Sequence, residues 1–372
     1  MGNIDVAGLA GGQPLLTYWL LFALIAWMAI SHMRPHLAIH SYRDEPWNVA
    51  WVNLFLILAL LIGLRHEVGG DWETYLEHIE YIQGEPLDQF WLHGDPAYVL
   101  LNWVGANVFG GVYFVNFVCA LLFSWGLITF CRAQPRPWLV LAVAVPYLIT
   151  VVAMGYTRQG VAIGLAMLAM VALNERKFRG FLIWITFAAL FHKSAVILMP
   201  LAIFSGAKHR WLVILGAGIT GALLFTLLLQ EALDGLVSGY IVDEYQSSGA
   251  GIRIAMNVLP AVVFLCFRKR FKLPEHQESF WTWMAVGALI FVVLLAVSPS
   301  STAVDRVALY WIPLQLFVWG RLPDALGLPG RRNPIWVILV VAYSALVLLV
   351  WLFFAGHSFL WLPYKHYFLQ LL

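Results

Sequence analysis

The sequence has little charge. Asp, Glu, Lys and Arg make up 11% of its 372 residues, against about 25% in an ordinary soluble domain. Its hydrophobic share is 62%, where about 45–50% is usual. Such a chain cannot clothe a water-facing surface, so soluble multi-domain readings fall away. Cysteine is scarce too. Cys119, Cys131 and Cys266 are odd in number and lie in or at the ends of apolar runs. That is no disulfide framework, and each reads as a small hydrophobe. No G-x-x-x-x-G-K-[ST], D-x-D or H-E-x-x-H string occurs, and no Cys/His cluster has metal-ligand spacing. Chemistry fed by a cytoplasmic nucleotide is therefore disfavoured, and neither a metal nor a nucleic-acid partner is expected. Low-complexity linkers and internal repeats are also missing, so 1–372 reads as one polytopic membrane domain.

What the chain does have is a series of apolar runs, each close to the roughly 20 residues that cross a bilayer as a helix. The runs are continuous rather than alternating, which favours helices over a barrel. Spans are predicted at 14–32, 47–64, 111–131, 138–154, 158–173, 211–229, 252–267, 280–297, 303–320 and 335–355. The N-terminal MGNIDVAGLAGGQ has no basic stretch, so the first span is expected to stay rather than be cleaved. Segment 179–210 admits two readings. It is one long span, or it folds back at Phe191-His192-Lys193. Each half would then be about 12 residues, or about 18 Å, short of the roughly 30 Å of hydrocarbon. Such broken helices survive only where they line a buried or watery cavity. The broken reading keeps Lys208, His209 and Arg210 with the other basic loops. The expected fold is all-α, with about 10–12 transmembrane helices and a broken or re-entrant pair near 179–205.

Orientation follows from lysine and arginine in short loops. Arg34, Arg43, Arg132, Arg136, Arg176, Lys177, Arg179, the Arg268–Lys272 cluster, Arg321, Arg331 and Arg332 can all sit in the cytoplasm. Residues 65–95, 155–158, 230–251, 298–302 and the C-terminal tail then lie outside. The two acidic loops, 65–95 and 230–251, fall there without being forced.

The first of these loops opens RHEVGGDWETYLEHIEYIQ. As a helix over 71–83 it puts Glu73, Glu77 and Glu80 within about 60° of one another, on a solvated stripe. Trp72, Leu76 and Ile79 form an apolar stripe that must dock. Asp71, Tyr75 and His78 form a third, flanking strip. Asp71 reads equally as a helix N-cap and as a group turned toward a cleft.

Ionisable residues in or beside spans are costly and are functional candidates by default. Arg65 ends the second span, and Arg158 lies in GYTRQG. His192 and Lys193 sit at the break, Asp305 and Arg306 in STAVDRVALYW, and Tyr364, Lys365 and His366 in LPYKHYF. Arg306 and Tyr310 lie one helical turn apart. Singly, each could be an interfacial anchor. Together, several cations beside carboxylates on one outer side suit an anionic lipid substrate, and arginine suits bidentate phosphate recognition.

RHEVGGDWETY, GYTRQGVAIGLAM, ALFHKSAVILMPL, VDRVALYW and LPYKHYF, in that order, resemble the EpsG family of bacterial exopolysaccharide proteins, which is grouped with the Wzy-type polysaccharide polymerases. The resemblance runs from about 47 to 370 and leaves out the first span. Val68-Gly69-Gly70 and Trp72 depart from the family's usual spacing around its aspartate. The resemblance implies a multi-pass inner-membrane glycosyltransferase of the GT-C kind, inverting, needing no nucleotide and often no metal. It would join repeat units carried on undecaprenyl diphosphate, on the periplasmic side. Its partners would be lipid-linked oligosaccharide, the bilayer, and export or chain-length proteins. The carrier is part of the substrate, and no separate cofactor is implied. In that reading Arg158 and Arg306 stabilise the departing diphosphate, supported by Arg65 and Lys365. Asp71 or His192 is the general base. Gln159, Lys193, Tyr75, His78, Asp305, Tyr310 and Tyr364 line the substrate. A ligase that moves a finished glycan, and a non-enzymatic transporter of lipid-linked sugars, are the alternatives.

Overall fold

The apolar runs fold as helices because a backbone in hydrocarbon must satisfy its own hydrogen bonds. The computed structural model describes residues 15–35, 47–87, 94–204, 210–224 and 249–370. Among the described residues there is no strand, only a single bridge between Arg65 and His366. The α-helices run in order: α1 Leu16–Ser31, α2 Val49–Gly63, α3 Trp72–Ile82, α4 Pro96–Asn107, α5 Val112–Arg132, α6 Pro137–Ala144 and α7 Thr157–Asn174. After them come α8 Phe178–Phe191, α9 Arg210–Leu224, α10 Ala250–Phe267, α11 Glu275–Val297, α12 Ser301–Ala308, α13 Ile312–Leu326 and α14 Pro334–Phe354. Five helical stretches are long and apolar enough to cross a membrane, and shorter apolar helices lie among them. This is the architecture of a multi-pass membrane protein. The expected loop at 230–251 lies outside the described residues up to position 248, as do Arg43, Lys208 and His209.

The centre is α7, whose apolar window is 89% buried. It packs against α5 and α8, and α5 packs on α2. Small side chains let these helices approach closely. A Cβ built on Gly126 would lie 2.0 Å from the Gly164 carbonyl oxygen, backbone against backbone. Gly126→Leu is therefore expected to cost at least the 1–3 kcal/mol typical of overpacking, about that or more. The melting temperature of the detergent-purified protein reads the loss.

Departures from the predicted spans have local causes. The expected span at 138–154 is α6 followed by a π-helix, Val145–Ala153. Pro146 has no N–H and crowds the carbonyl of Ala142, which loosens the ladder. Thr150 Oγ1 donates to the Val145 carbonyl at 2.8 Å in the widened turn. The span expected at 303–320 is α12, a 3₁₀ turn at Leu309–Trp311, and α13. Pro313 does there to the Leu309 carbonyl what Pro146 does to Ala142. The broken reading of 179–205 is what forms: α8 ends at Phe191, His192 is extended, and a 3₁₀ helix covers Lys193–Phe204. Helix α4 was not expected. It packs on α3, α5 and α8 and ties back to α3 where Trp103 Nε1 donates to the Glu85 carbonyl at 2.9 Å.

The helices run back and forth, so the loops segregate. At one end Arg136, 2% exposed, grips Asp324 with two bonds of 2.8 Å and also donates to the carbonyls of Met33, Arg331 and Arg332. Arg176 meets His276 at 3.3 Å in the same layer. The other end carries residues 65–87, 94–95, 155–158, 298–302 and the described tail, closed by main-chain bonds. His66 N–H donates to the Lys365 carbonyl at 3.0 Å, Gly69 N–H to Leu360 at 2.9 Å, and Tyr367 N–H to Leu64 at 2.8 Å. Gly69 has φ +108°, and a Cβ there would meet the Met154 carbonyl oxygen at 2.4 Å. Only glycine serves at that turn.

Candidate active site

The sites of greatest chemical interest lie at this second end, where the starts of α3, α4, α7 and α10 meet α12 and the break after α8. Helix α3 is amphipathic as expected: Trp72, Tyr75 and Ile82 are buried, while Glu73, Glu77 and Glu80 face outward. Asp71 precedes its first turn, but its carboxylate makes no capping bond. It accepts instead from the Tyr75 hydroxyl at 3.4 Å. Burial pushes its carboxyl above the usual carboxylate range, opposed by the nearby Arg306 and Arg158 guanidiniums and the Tyr75 bond. The group is thus a partly covered carboxylate facing two cations.

Arg158 sits in the first turn of α7. Its guanidinium lies 3.4 Å from Asp95 and 5.6 Å from the Tyr98 ring centroid, with 36% of the side chain exposed. Asp95, which precedes α4 and is 5% exposed, also accepts from the Lys193 N–H at 3.0 Å. Burial raises the Asp95 carboxyl, while Arg158 and Lys193 hold it down. One carboxylate therefore fixes both Arg158 and the break after α8. Arg306 lies over the Tyr156 ring at 4.1 Å, a cation–π contact. Its carbonyl accepts from Gln159 Nε2, which locks α12 to the start of α7.

His192 caps α8. Its Nδ1 lies 2.6 Å from Ser194 Oγ and 3.4 Å from the Tyr310 hydroxyl. Ser194 Oγ can donate to Tyr310 at 3.4 Å. In the tautomer with its proton on Nδ1, that proton points to Ser194 and Nε2 keeps its lone pair, as a base requires. Asp305 is held by Arg253 through two bonds of 2.7 Å.

The structure thus gathers Asp71, Tyr75, Arg158, Gln159, His192, Lys193, Asp305, Arg306 and Tyr310 in one region. Three other predicted residues, Tyr364, Lys365 and His78, lie apart from it, and a fourth, Arg65, lies beneath it, one bond from Thr157. Arg65 is 1% exposed, and its guanidinium donates to the Val68 and Ile62 carbonyls, to Asn116 and to Thr157. Those bonds make it a strut under the loop. Tyr364 donates to the Leu61 carbonyl at 2.8 Å. Lys365 pairs with exposed Glu67. His78 faces solvent and bonds the Thr74 carbonyl of its own helix. Lys365→Ala is expected to cost no more than about 1 kcal/mol of stability, because an exposed pair is worth about 0–1 kcal/mol. The melting temperature of the detergent-purified variant checks it.

Asp95, Tyr98, Tyr156 and Arg253 belong to the region and were not predicted. Arg253 had a signal: a lone arginine in the first turn of an apolar run. Asp95 had none in the local sequence.

The model of the EpsG family matches residues 48–366. The chain belongs to the EpsG family. Membership covers every residue of the region just described, and it leaves α1 outside. It supports an exopolysaccharide-related, multi-pass membrane protein. No curated protein and no solved structure matches this EpsG-family chain. One G-x-G-x-x-G string, Gly216-Ala217-Gly218-Ile219-Thr220-Gly221, does occur in the protein. It lies inside α9, away from any strand-to-helix turn where it could hold a dinucleotide.

Proposed function

We propose that this EpsG-family protein is an exopolysaccharide polymerase that joins repeat units carried on undecaprenyl diphosphate at the outer face of the bacterial inner membrane. The observation that carries the reading is the meeting of Arg158 and Arg306 with Asp71 and His192 at the end opposite the basic loops. By the positive-inside rule, that end faces the periplasm.

In this reading the growing chain on its lipid diphosphate is the donor, and a hydroxyl of a fresh lipid-linked unit is the acceptor. The hydroxyl oxygen bonds to the anomeric carbon as the bond from that carbon to the diphosphate oxygen breaks. The hydroxyl proton passes to Asp71 or His192, and the diphosphate leaves with the electron pair. Attack from the side opposite the leaving group inverts the centre. Arg158 and Arg306 stabilise the charge that grows on the departing oxygen. Cations held in place by Asp95, Tyr98 and Tyr156 need no reorganisation to do so. No nucleotide or metal enters the scheme.

Purified protein given the lipid-linked repeat unit, with a chelator and without nucleotide, is expected to produce a ladder of longer glycans on a gel. Substrate that is bound or moved across vesicles without elongation would overturn the polymerase in favour of transport. Transfer of a preformed chain to another lipid without elongation would make the protein a ligase.

A further inference from the structure

A second feature lies beside the reaction region, within the lipid-facing wall. Between α10 and α14 runs a groove of about 480 Å³, within the roughly 300–1,000 Å³ usual for ligand sites. Ile252 and Met256 form one side, Leu346, Val350 and Phe354 the other, and Tyr147 of the π-helix lines it between them. Ile252, Leu346 and Phe354 are 65%, 58% and 75% exposed, so the groove is reachable from the side of the bundle. From Tyr343 to Ala355 it follows α14 for about 18 Å at 1.5 Å per residue, ending at the same end of the bundle as the charged cluster.

Its lining is apolar apart from that end. There Arg253 enters the groove wall while its guanidinium holds Asp305, the residue next to Arg306. The buried Tyr147 hydroxyl has no hydrogen-bond partner among the described residues and lies within electrostatic reach of Arg253, Asp305 and Arg306. An arginine at the head of an apolar, laterally open groove matches an anionic head on a long hydrocarbon chain. The groove is one gap between two helices floored by Tyr147 of the π-helix, which suits one chain better than the paired chains of a phospholipid.

We infer that this groove holds the isoprenoid chain of the lipid-linked substrate and delivers its diphosphate past Arg253 to Arg306 and Arg158. The inference rests on the lipid-carrier reading above and adds where the carrier enters. Tyr147 then offers its hydroxyl to the phosphate nearest the chain.

Photo-crosslinking of the full-length protein in phosphatidylglycerol nanodiscs tests it, with tritiated undecaprenyl phosphate as probe. p-Benzoylphenylalanine is placed at Val347, in the groove, or at Leu349, exposed on the same helix outside it. Labelling at Val347 is expected to exceed that at Leu349 about tenfold, which is about 1.4 kcal/mol of preference. Unlabelled undecaprenyl phosphate should compete it away, and added phosphatidylglycerol should not. Equal labelling at the two positions, or equal competition by phospholipid, overturns the groove. Val347→Trp gives an independent check: KM for an undecaprenyl-linked unit should rise severalfold more than KM for a farnesyl-linked unit, whose shorter chain fills less of the groove. Equal rises in KM for both chain lengths also overturn it. Polymer formation without preferential labelling would sink the groove alone, whereas preferential labelling without polymer would sink the polymerase and keep the groove.

Discussion

Arg158→Ala abolishes polymer while the protein remains in the membrane at its normal level: that is the result expected from a gel of surface polysaccharide set beside an immunoblot of membranes. Arg158 is part-exposed toward the region that holds Asp71, and its other contacts are Asp95 and the Tyr98 ring. Loss of a single preorganised charge stabiliser costs about 10²–10³ in rate. The substitution also removes the cation beside Asp95, which keeps its bond from the Lys193 N–H, and the cost of that lost pair must be told apart from the loss of rate. Arg158→Ala combined with Asp95→Asn separates the two effects. If the double variant makes polymer again, Arg158 serves only to neutralise Asp95, and its role on the diphosphate is wrong. Arg158→Lys keeps the charge but loses the flat fork, so partial activity is expected.

The second large effect belongs to Asp71. A general base is worth about 10²–10⁴ in rate, so if Asp71 has the proposed role, Asp71→Asn is expected to lose that much with little change in volume. The pH dependence gives an independent reading. Burial raises the Asp71 carboxyl, and Arg306 and Arg158 pull it back without cancelling the rise. A base must be deprotonated to accept a proton. Activity is therefore lost as pH falls toward the raised value, and the acid limb lies above the ordinary aspartate pKa of about 3.9. In the Asp71→Asn variant the residual activity should lose that limb. If His192→Gln removes the limb instead and Asp71→Asn does not, the imidazole is the base. Steady-state rates across pH in nanodiscs decide between them.

Much of this arrangement could be read from the chain, for reasons that differ by element. The α3 stripe was legible because a helix on a membrane domain must alternate solvated and docked faces, and three glutamates at helical spacing leave one solution. The break at His192 was legible from charge, since one unbroken span over 179–210 would carry Lys208, His209 and Arg210 to the outer side and invert every basic loop after it. Helix α4 was not, because its residues Pro96–Asn107 mix Asn102 and Asn107 with short apolar steps. Its helical state depends on packing against α3, α5 and α8. Asp95 was missed for a related reason. One acid among several in a loop has no local mark, and its partner Arg158 is 63 residues away. Arg65 and Lys365 show the opposite case, cations picked out in sequence that the structure also uses as braces. Cations at span ends look alike in sequence whether they face a ligand or brace a turn, and only the Asn116, Thr157 and Glu67 contacts tell them apart.

The tail that braces the first outer loop imposes an order of events on synthesis. Tyr364 and Leu61 are joined across 303 positions, and the Leu360, Lys365 and Tyr367 bonds to the same loop span similar distances. A ribosome delivers the loop early and its brace late, after the intervening helices have entered the bilayer. Until then Arg65 has its own struts, but the turn at Gly69 lacks the Leu360 carbonyl that receives its N–H. The rim carrying Asp71 gains its last brace only when translation has passed Tyr367, so the turn that leads into Asp71 is the last part of the outer end to be tied down.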